Sequence, residues 1–166
     1  MAPVARFSLN HVAISVPDLE DAIEWYTKVF SLTVLMPPIT QDRSADPTPN
    51  AFKVYPPDCN KFRVAFLSAG SAGVAGLELF EFEDPSIESG CEANFLRDYK
   101  RGGYFHIALT TADVNATAEK VEQNGGKRIG PNMPLSLNHV ACYVEDKWGN
   151  AIELITGSFE EIISDR

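Results

Sequence analysis

The sequence predicts an α+β fold built from two tandem βαβββ modules, and three observations support this prediction. The first is a repeat, because residues 10–19 read NHVAISVPDL and residues 105–114 read FHIALTTADV at a constant offset of 95 residues. The second is that each copy is followed by an apolar segment with a glutamate inside it, LELF at 77–80 and IELI at 152–155. The third is that both halves combine short β segments with one amphipathic helix.

The first module begins with a strand over about residues 8–16, in which apolar residues alternate with small or polar ones. Pro17 ends this strand, and Asp18 is a suitable N-cap for a helix over residues 19–30. The helix places apolar side chains on one face at spacings of three and four: Ala22, Ile23, Tyr26, Val29 and Phe30. Strands are expected at about 32–35, 62–68 and 77–82.

The second module repeats this plan. A strand is predicted over about residues 104–111, followed by a helix over 114–124 that Asp113 caps. Gly125 and Gly126 end the helix, because glycine readily adopts the left-handed turn that follows a helix. Short β segments follow the helix, and the clearer ones, at 140–144 and 151–155, are joined by a hairpin turn at 146–150.

The 166 residues are predicted to form a single domain with an internal duplication. Module one covers about 7–83 and module two about 103–157, with a linker within 83–103. Residues 37–60 are an insertion in module one, rich in proline, aspartate and asparagine and without a clear period. This segment is longer than most connections, so we expect either an ordered flap or a mobile loop.

The alternation of side chains across a strand assigns the histidines and glutamates to one face of each sheet. His11 shares its face with Ala13 and Ser15, and His106 shares its face with Ala108 and Thr110. The small neighbours leave space in front of each imidazole, which a packed core would normally fill.

The two glutamates follow the same alternation. Glu78 and Glu153 point away from the leucines and isoleucines of their own strands, whereas Glu81 has the opposite parity. A carboxylate within an apolar strand is costly unless a partner compensates its charge. A divalent metal ion would compensate two carboxylates and two imidazoles together, which makes these four residues the candidate ligands: His11, Glu78, His106 and Glu153.

Composition excludes several classes of function. The net charge of −9, from 14 basic and 23 acidic residues, argues against nucleic acid or an anionic membrane as a partner. No segment approaches the roughly 20 apolar residues of a membrane-spanning helix. The first residues lack a signal-peptide pattern, and the three cysteines, Cys59, Cys91 and Cys142, are widely spaced. We therefore expect a cytoplasmic protein with reduced thiols that acts on a small molecule.

The pattern of histidine on the first strand and glutamate on the last, in two tandem modules, resembles the vicinal oxygen chelate superfamily, and within it glyoxalase I (lactoylglutathione lyase). The segments that carry the resemblance are 9–30, 103–109 and 144–154. The resemblance implies that eight strands curl into a cupped mixed sheet, with metal ligands at His11, Glu78, His106 and Glu153. Zn, Ni, Co, Mn and Fe(II) are all acceptable ions for this donor set.

The implied activity is that of a metal-dependent lyase or isomerase. It would perform proton-transfer chemistry on a small carbonyl substrate that chelates the metal through vicinal oxygens. By this resemblance, Glu153 is the expected catalytic base, with Glu78 opposite it. Two departures leave the substrate open: the usual Asp-Pro-Asp-Gly turn is DKWG at 146–149, and no arginine cluster suited to glutathione is evident.

Two alternative functions remain open. One is an Fe(II) extradiol-type dioxygenase with His11, His106 and Glu153 as ligands, and the other is a metal-free small-molecule-binding protein of the drug-resistance type. The modules could pair within one chain or across a homodimer. Residues 137–141 also repeat the LNHVA of 9–13. His139 is therefore either a strand-end histidine or a contact of the ligands or substrate, and Tyr143 on the same face could donate a hydrogen bond.

Overall fold

The computed structural model describes residues 8–45, 50–70, 73–88 and 92–165. The chain divides into two compact units, residues 1–88 and residues 89–166, called unit 1 and unit 2 below. Each unit contains one copy of the repeat. Among the residues described, no helix combines the length and the apolar content needed to span a lipid bilayer.

Unit 1 is a five-stranded mixed sheet with one long helix packed on it. Its elements are β1 (His11–Ser15), α1 (Leu19–Phe30), β2 (Thr33–Val34), β3 (Ile39–Asp42), a 3₁₀ helix (Asn50–Lys53), β4 (Lys61–Ser68) and β5 (Gly76–Asp84). The strand order is β1-β5-β4-β2, with β3 paired to β4. β1 is parallel to β5, and the other pairs are antiparallel.

Unit 2 has the same topology. Its elements are α2 (Phe95–Asp98), β6 (Ile107–Thr110), α3 (Val114–Gln123), β7 (Lys127–Arg128), β8 (Met133–Pro134), β9 (Val140–Glu145), β10 (Ala151–Ile155) and α4 (Phe159–Ser164). The strand order is β6-β10-β9-β7, with β8 paired to β9. The α+β fold of two matching modules, predicted from the repeat, is confirmed.

The helices begin where the sequence predicts. Asp18 accepts a hydrogen bond from the backbone N–H of Asp21 at 2.9 Å, and Asp113 caps α3 through the N–H groups of Asn115 and Ala116. Gly125 adopts a positive φ of 85° after α3, as a left-handed C-terminal turn requires. Local capping chemistry therefore sets the helix boundaries.

The structure also contains elements that the sequence pattern did not reveal. The 37–60 insertion is not a plain loop, because it begins with β3, which pairs with β4. Its counterpart in unit 2 is β8, so each module has one short strand more than predicted. The helices α2 and α4 contain only 4 and 6 residues, too few to produce a recognisable period.

Each sheet buries one face against its long helix. In β5 the side chain of Leu79 is fully buried, and in β10 those of Ile152 and Leu154 are fully buried. The alternating residues of the same strands, including Glu78 and Glu153, lie on the opposite face. We call this opposite face of each sheet the ligand face.

Candidate metal centre

In unit 1 the sheet brings His11 and Glu78 together. The parallel pairing of β1 and β5 sets Ala13 beside Glu78, and the His11 Nε2 atom lies 3.6 Å from Glu78 Oε2. The other ring nitrogen, Nδ1, lies 2.7 Å from the side-chain oxygen of Asn10. A proton on Nδ1 would donate to this oxygen and would leave the lone pair of Nε2 free to bind a cation.

In unit 2 the same arrangement joins His106 and Glu153. His106 lies directly before β6, whose pairing with β10 sets Ala108 beside Glu153. Nε2 of His106 lies 3.3 Å from Glu153 Oε2. Nδ1 is buried and has no hydrogen-bond partner among the residues described. Each unit therefore places one histidine and one glutamate at matching positions of its sheet.

The spacing within each pair suits two ligands of one metal ion. Metal–ligand bonds of about 2.0–2.2 Å, at angles between octahedral and tetrahedral, separate neighbouring ligand atoms by roughly 2.8–3.6 Å. The observed 3.3 and 3.6 Å lie in this range. The donor set therefore fits a divalent ion.

Each pair supplies two of the four predicted ligands. Within neither unit do three or more histidine, cysteine, aspartate or glutamate side chains of the described residues gather around a common point. The carboxylates are largely buried, with 20% of the Glu78 side chain and 13% of the Glu153 side chain exposed. The fold thus provides two half-sites with matching strand register and similar His–Glu distances.

Tyr143 is a further component of the unit 2 half-site. It lies opposite Glu153 in the antiparallel pairing of β9 and β10, and its ring centroid is 5.3 Å from that of His106. Burial, the charge of Glu153 and a side-chain hydrogen bond to Glu153 raise the pKa of Tyr143 to about 12. The phenolic proton is therefore retained at neutral pH, on a ring that lies opposite the Glu153 carboxylate.

An aromatic cluster covers the ligand face of unit 1 beside Glu78. It consists of side chains from β4, β5 and the 37–60 insertion: Phe52, Tyr55, Phe62, Phe80 and Phe82. Phe52 and Phe62 are 5% and 2% exposed, so the insertion is packed onto the sheet. Burial, followed by the charges of Cys59 and Glu78, raises the pKa of Tyr55. The part of the insertion at residues 50–60 therefore forms an aromatic wall next to the half-site.

Glu81 differs from Glu78 as its parity predicts. It lies on the helix side of β5 and pairs with Arg63, with Nη1 to Oε2 at 3.1 Å. Arg63 also pairs with Glu20 of α1 and approaches Glu83 at 3.9 Å. These carboxylates raise the pKa of Arg63 and bind the helix to the sheet. Glu81 is therefore a structural residue rather than a candidate ligand.

His139 does not join either pair. Its side chain is 14% exposed, and Nε2 lies 3.5 Å from Asp165 Oδ2, at the C-terminal end of α4. The ring packs so closely on Gly157 that a Cβ atom there would lie 2.3 Å from it. The repeated LNHVA sequence thus leads to two different environments, because His11 faces Glu78 whereas His139 faces the last helix.

The chain was compared with known proteins. The model of the Glyoxalase/Bleomycin resistance protein/Dioxygenase superfamily matches residues 8–154. A 2-epi-5-epi-valiolone epimerase from Actinomyces sp is 32% identical, over 89% of this chain and 78% of that protein. A lactoylglutathione lyase from Escherichia coli O157:H7 is 31% identical, over 89% of this chain and 90% of that protein.

A solved structure shows the same fold. A glyoxalase family protein from Bacillus cereus superposes with a TM-score of 0.75 at 18% identity, covering 94% of this chain and 97% of that one. At this identity the likeness concerns the fold alone. The sequence matches identify the superfamily, whose curated relatives include both lyases and epimerases.

Proposed function

We propose that this chain is a divalent-metal-dependent lyase or isomerase that acts on a small carbonyl substrate. The chain belongs to the Glyoxalase/Bleomycin resistance protein/Dioxygenase superfamily. One observation carries the proposal. Each unit presents a histidine nitrogen and a glutamate oxygen 3.3–3.6 Å apart, at equivalent positions of its sheet. The names of the relatives, a lactoylglutathione lyase and an epimerase, agree with proton-transfer chemistry.

Four residues would hold the ion: His11, Glu78, His106 and Glu153. Two neutral imidazoles and two carboxylates neutralise a divalent cation and leave coordination positions for a substrate with two adjacent oxygens. When bound, the ion supplies Lewis-acid polarisation of the substrate carbonyl. Zn, Ni, Co, Mn and Fe(II) remain the candidates.

Proton transfer is assigned to the glutamates. In the proposed reaction, Glu153 accepts a proton from the carbon next to the polarised carbonyl, and it returns the proton to a neighbouring position. Glu78 lies on the equivalent strand of the other module and completes the ligand set. In this scheme Asn10 Oδ1 accepts the Nδ1 proton of His11, which leaves the Nε2 lone pair of His11 free for the ion.

The equal geometry of the two pairs favours this function over the dioxygenase alternative. A facial triad of His11, His106 and Glu153 would not require Glu78 to face a histidine. The distance between Glu78 and His11 is nevertheless 3.6 Å, close to the 3.3 Å between Glu153 and His106. A four-residue set explains both contacts.

The aromatic cluster beside Glu78 indicates which substrates to test. An ordered aromatic wall is suited to an apolar group adjoining the chelating oxygens. The nearby arginines already have partners, because Arg63 pairs with glutamates and Arg43 donates to the carbonyl of Cys59 at 2.9 Å. We therefore propose a carbonyl compound with an apolar substituent, with the glutathione hemithioacetal as the reference assay.

Isomerisation of the methylglyoxal–glutathione hemithioacetal, and deuterium uptake by α-hydroxyketones in D₂O, should be measured with and without added metal. We expect metal-dependent exchange that Glu153→Gln lowers by at least about 100-fold, since general-base catalysis contributes 10²–10⁴-fold. Full activity of this variant, or activity that no metal affects, would refute the proposal. Oxygen consumption with catechols that survives Glu78→Gln would instead establish the dioxygenase.

A further inference from the structure

A short segment that precedes β6 covers part of the ligand face of unit 2. This segment, residues 92–99, contains α2. The ring of Phe95 packs on that of Tyr143, with the ring centroids 5.3 Å apart and the planes tilted by 42°. Tyr143 lies opposite Glu153 in the sheet, and its ring centroid is 5.3 Å from that of His106. Phe95 therefore contacts a residue that adjoins both members of the unit 2 half-site.

Two contacts with the sheet and its last turn hold the segment in this place. The backbone N–H of Phe95 donates to Glu145 Oε1 at 3.4 Å, and the Glu145 side chain is only 11% exposed. Gly149 has a φ of 86° and approaches the carbonyl of Ala93 so closely that a Cβ atom would overlap the oxygen. A residue with a side chain could not adopt this arrangement without moving its neighbour. The DKWG turn at 146–149 thus fixes the position of residues 92–95.

The ring of Phe95 belongs neither to the core nor to the open surface. α2 contributes no fully buried residue, and Phe95 is half-buried, whereas its neighbour Leu96 is 68% exposed. One part of the Phe95 ring packs on Tyr143, and the rest presents an apolar surface. This surface lies beside a histidine and a glutamate that are the proposed metal ligands of unit 2.

We propose that Phe95 is a specificity-determining residue that contacts the apolar substituent of the carbonyl substrate, with Gly149 as the residue that positions it; the inference rests on the proposed function. Aromatic rings in contact attract each other beyond the effect of the area that they bury. A methyl substituent covers less of the Phe95 ring and gains less from it. Phe95 therefore favours substrates with an aromatic substituent over those with a methyl group.

The first experiment measures binding to the Ni²⁺-loaded protein by isothermal titration calorimetry and needs no turnover. The probes are acetohydroxamate and benzohydroxamate, which chelate a metal through the same two adjacent oxygens and differ in carrying a methyl or a phenyl group. Phe95→Ala is expected to lower the ratio of benzohydroxamate affinity to acetohydroxamate affinity by about threefold to tenfold, the size of an aromatic contact. Phe95→Leu, which keeps an apolar side chain, should lower it less.

Leu96→Ala is the matched control for this experiment. It removes an apolar side chain from the same helix, but one that is exposed to solvent. The affinity ratio should therefore stay at the value of the unmodified protein. The affinity for Ni²⁺ itself should be the same in all of these variants, because none of them changes a ligand.

The second experiment tests the role of Gly149. Gly149→Ala should lower the same ratio, because Ala93 and with it Phe95 must move away from the turn. Gly125→Ala is the matched control, since Gly125 has a φ of 85° but only the Lys147 Cβ, at 3.9 Å, near the new atom. It introduces the same backbone strain without displacing residues 92–95. Circular dichroism shows whether each variant is folded, and the Phe95 variants decide the matter if Gly149→Ala is not.

The outcomes separate the inference from the proposed function. If both hydroxamates bind and Phe95→Ala leaves their affinity ratio unchanged or raises it, the inference is wrong while the proposed function stands. Equal effects of Gly149→Ala and Gly125→Ala would refute the positioning role of Gly149. If the unmodified protein binds no Ni²⁺, or binds Ni²⁺ but neither hydroxamate, the proposed function fails and the inference fails with it.

Discussion

At the scale of single residues, the two His–Glu contacts result from strand pairing. Paired residues of the parallel strands β1 and β5 point to the same face of the sheet. Ala13 pairs with Glu78, and His11, two residues before Ala13, lies on that face close to the Glu78 carboxylate. The pairing of Ala108 with Glu153 does the same for His106. A one-residue slip in either register would turn the glutamate towards the helix.

Glu78→Gln is predicted to weaken divalent-metal binding by at least about 100-fold, because a neutral amide replaces an anionic ligand. This effect is larger than that of losing a residue that only hydrogen-bonds to a ligand. Glu81→Gln is the matched control, since both side chains are 20% exposed on the same strand. Isothermal titration calorimetry with Ni²⁺ measures both. Equal losses in the two variants, or none in either, would show that Glu78 is not a ligand.

The sequence allowed the faces of these residues to be predicted, but not their distances. Strand parity assigned Glu78 and Glu81 to opposite faces, which agrees with the contacts of Glu81 to Arg63. The position of Tyr143 opposite Glu153 depends on the register between two strands, which alternation alone does not specify. The contact of His139 with Asp165 could not be predicted either, because the six residues of α4 are too few to show a helical period in the sequence.

At the scale of elements, the 37–60 insertion is what distinguishes unit 1 from unit 2. Its first strand has a counterpart in β8, whereas the 3₁₀ helix Asn50–Lys53 has none at that point of unit 2. Phe52 inserts into the aromatic cluster, with its ring centroid 5.4 Å from that of Phe62, and Arg43 lies 4.4 Å above the Phe52 ring. These contacts hold the insertion beside the half-site.

Phe52→Ala is predicted to lower the free energy of unfolding by about 3 kcal/mol, because it removes a buried ring and leaves a cavity. Val54→Ala, two residues away and 84% exposed, should change it by less than about 0.5 kcal/mol. Urea unfolding followed by circular dichroism tests the pair. Similar small effects in both variants would mean that the insertion is not packed on the sheet.

The reliability of the element predictions followed the strength of local signals. α1 was predicted at Leu19–Phe30, where the structure has it, because a capping aspartate and an apolar stripe agree. β3 and β8 contain 4 and 2 residues and were missed, since such short strands are defined by pairing rather than by pattern. The 37–60 insertion was expected to be a flap or a loop because its sequence shows no clear period.

At the scale of the whole molecule, acidic residues outnumber basic ones by 23 to 14, and several carboxylates are stabilised in their charged form. The Arg63 hydrogen bond lowers the pKa of Glu20 below its ordinary value of 4.5, and the Arg97 hydrogen bond lowers the pKa of Asp98 below 3.8. Backbone and side-chain hydrogen bonds of Ser158 lower the pKa of Glu161. Folding therefore favours the ionised forms.

Acid should consequently destabilise the protein. A carboxylate with a lowered pKa in the folded state stabilises it above its unfolded pKa, and the contribution is lost as the pH falls through the folded value. The loss begins as the pH falls towards 4.5 for Glu20 and towards 3.8 for Asp98. Urea midpoints at pH 7, 4 and 3 should decrease in that order, and a constant midpoint over this range would contradict the assignment.

The central proposal is that both His–Glu pairs bind one metal ion, within a chain or across a homodimer. Elemental analysis of the purified protein, of Glu78→Gln and of Glu153→Gln after equilibration with Ni²⁺ tests it most directly. The account predicts one ion per chain in the unmodified protein, in either arrangement, and loss of that ion in both variants. Two ions per chain, with one lost in each variant, or no ion at all, would contradict it.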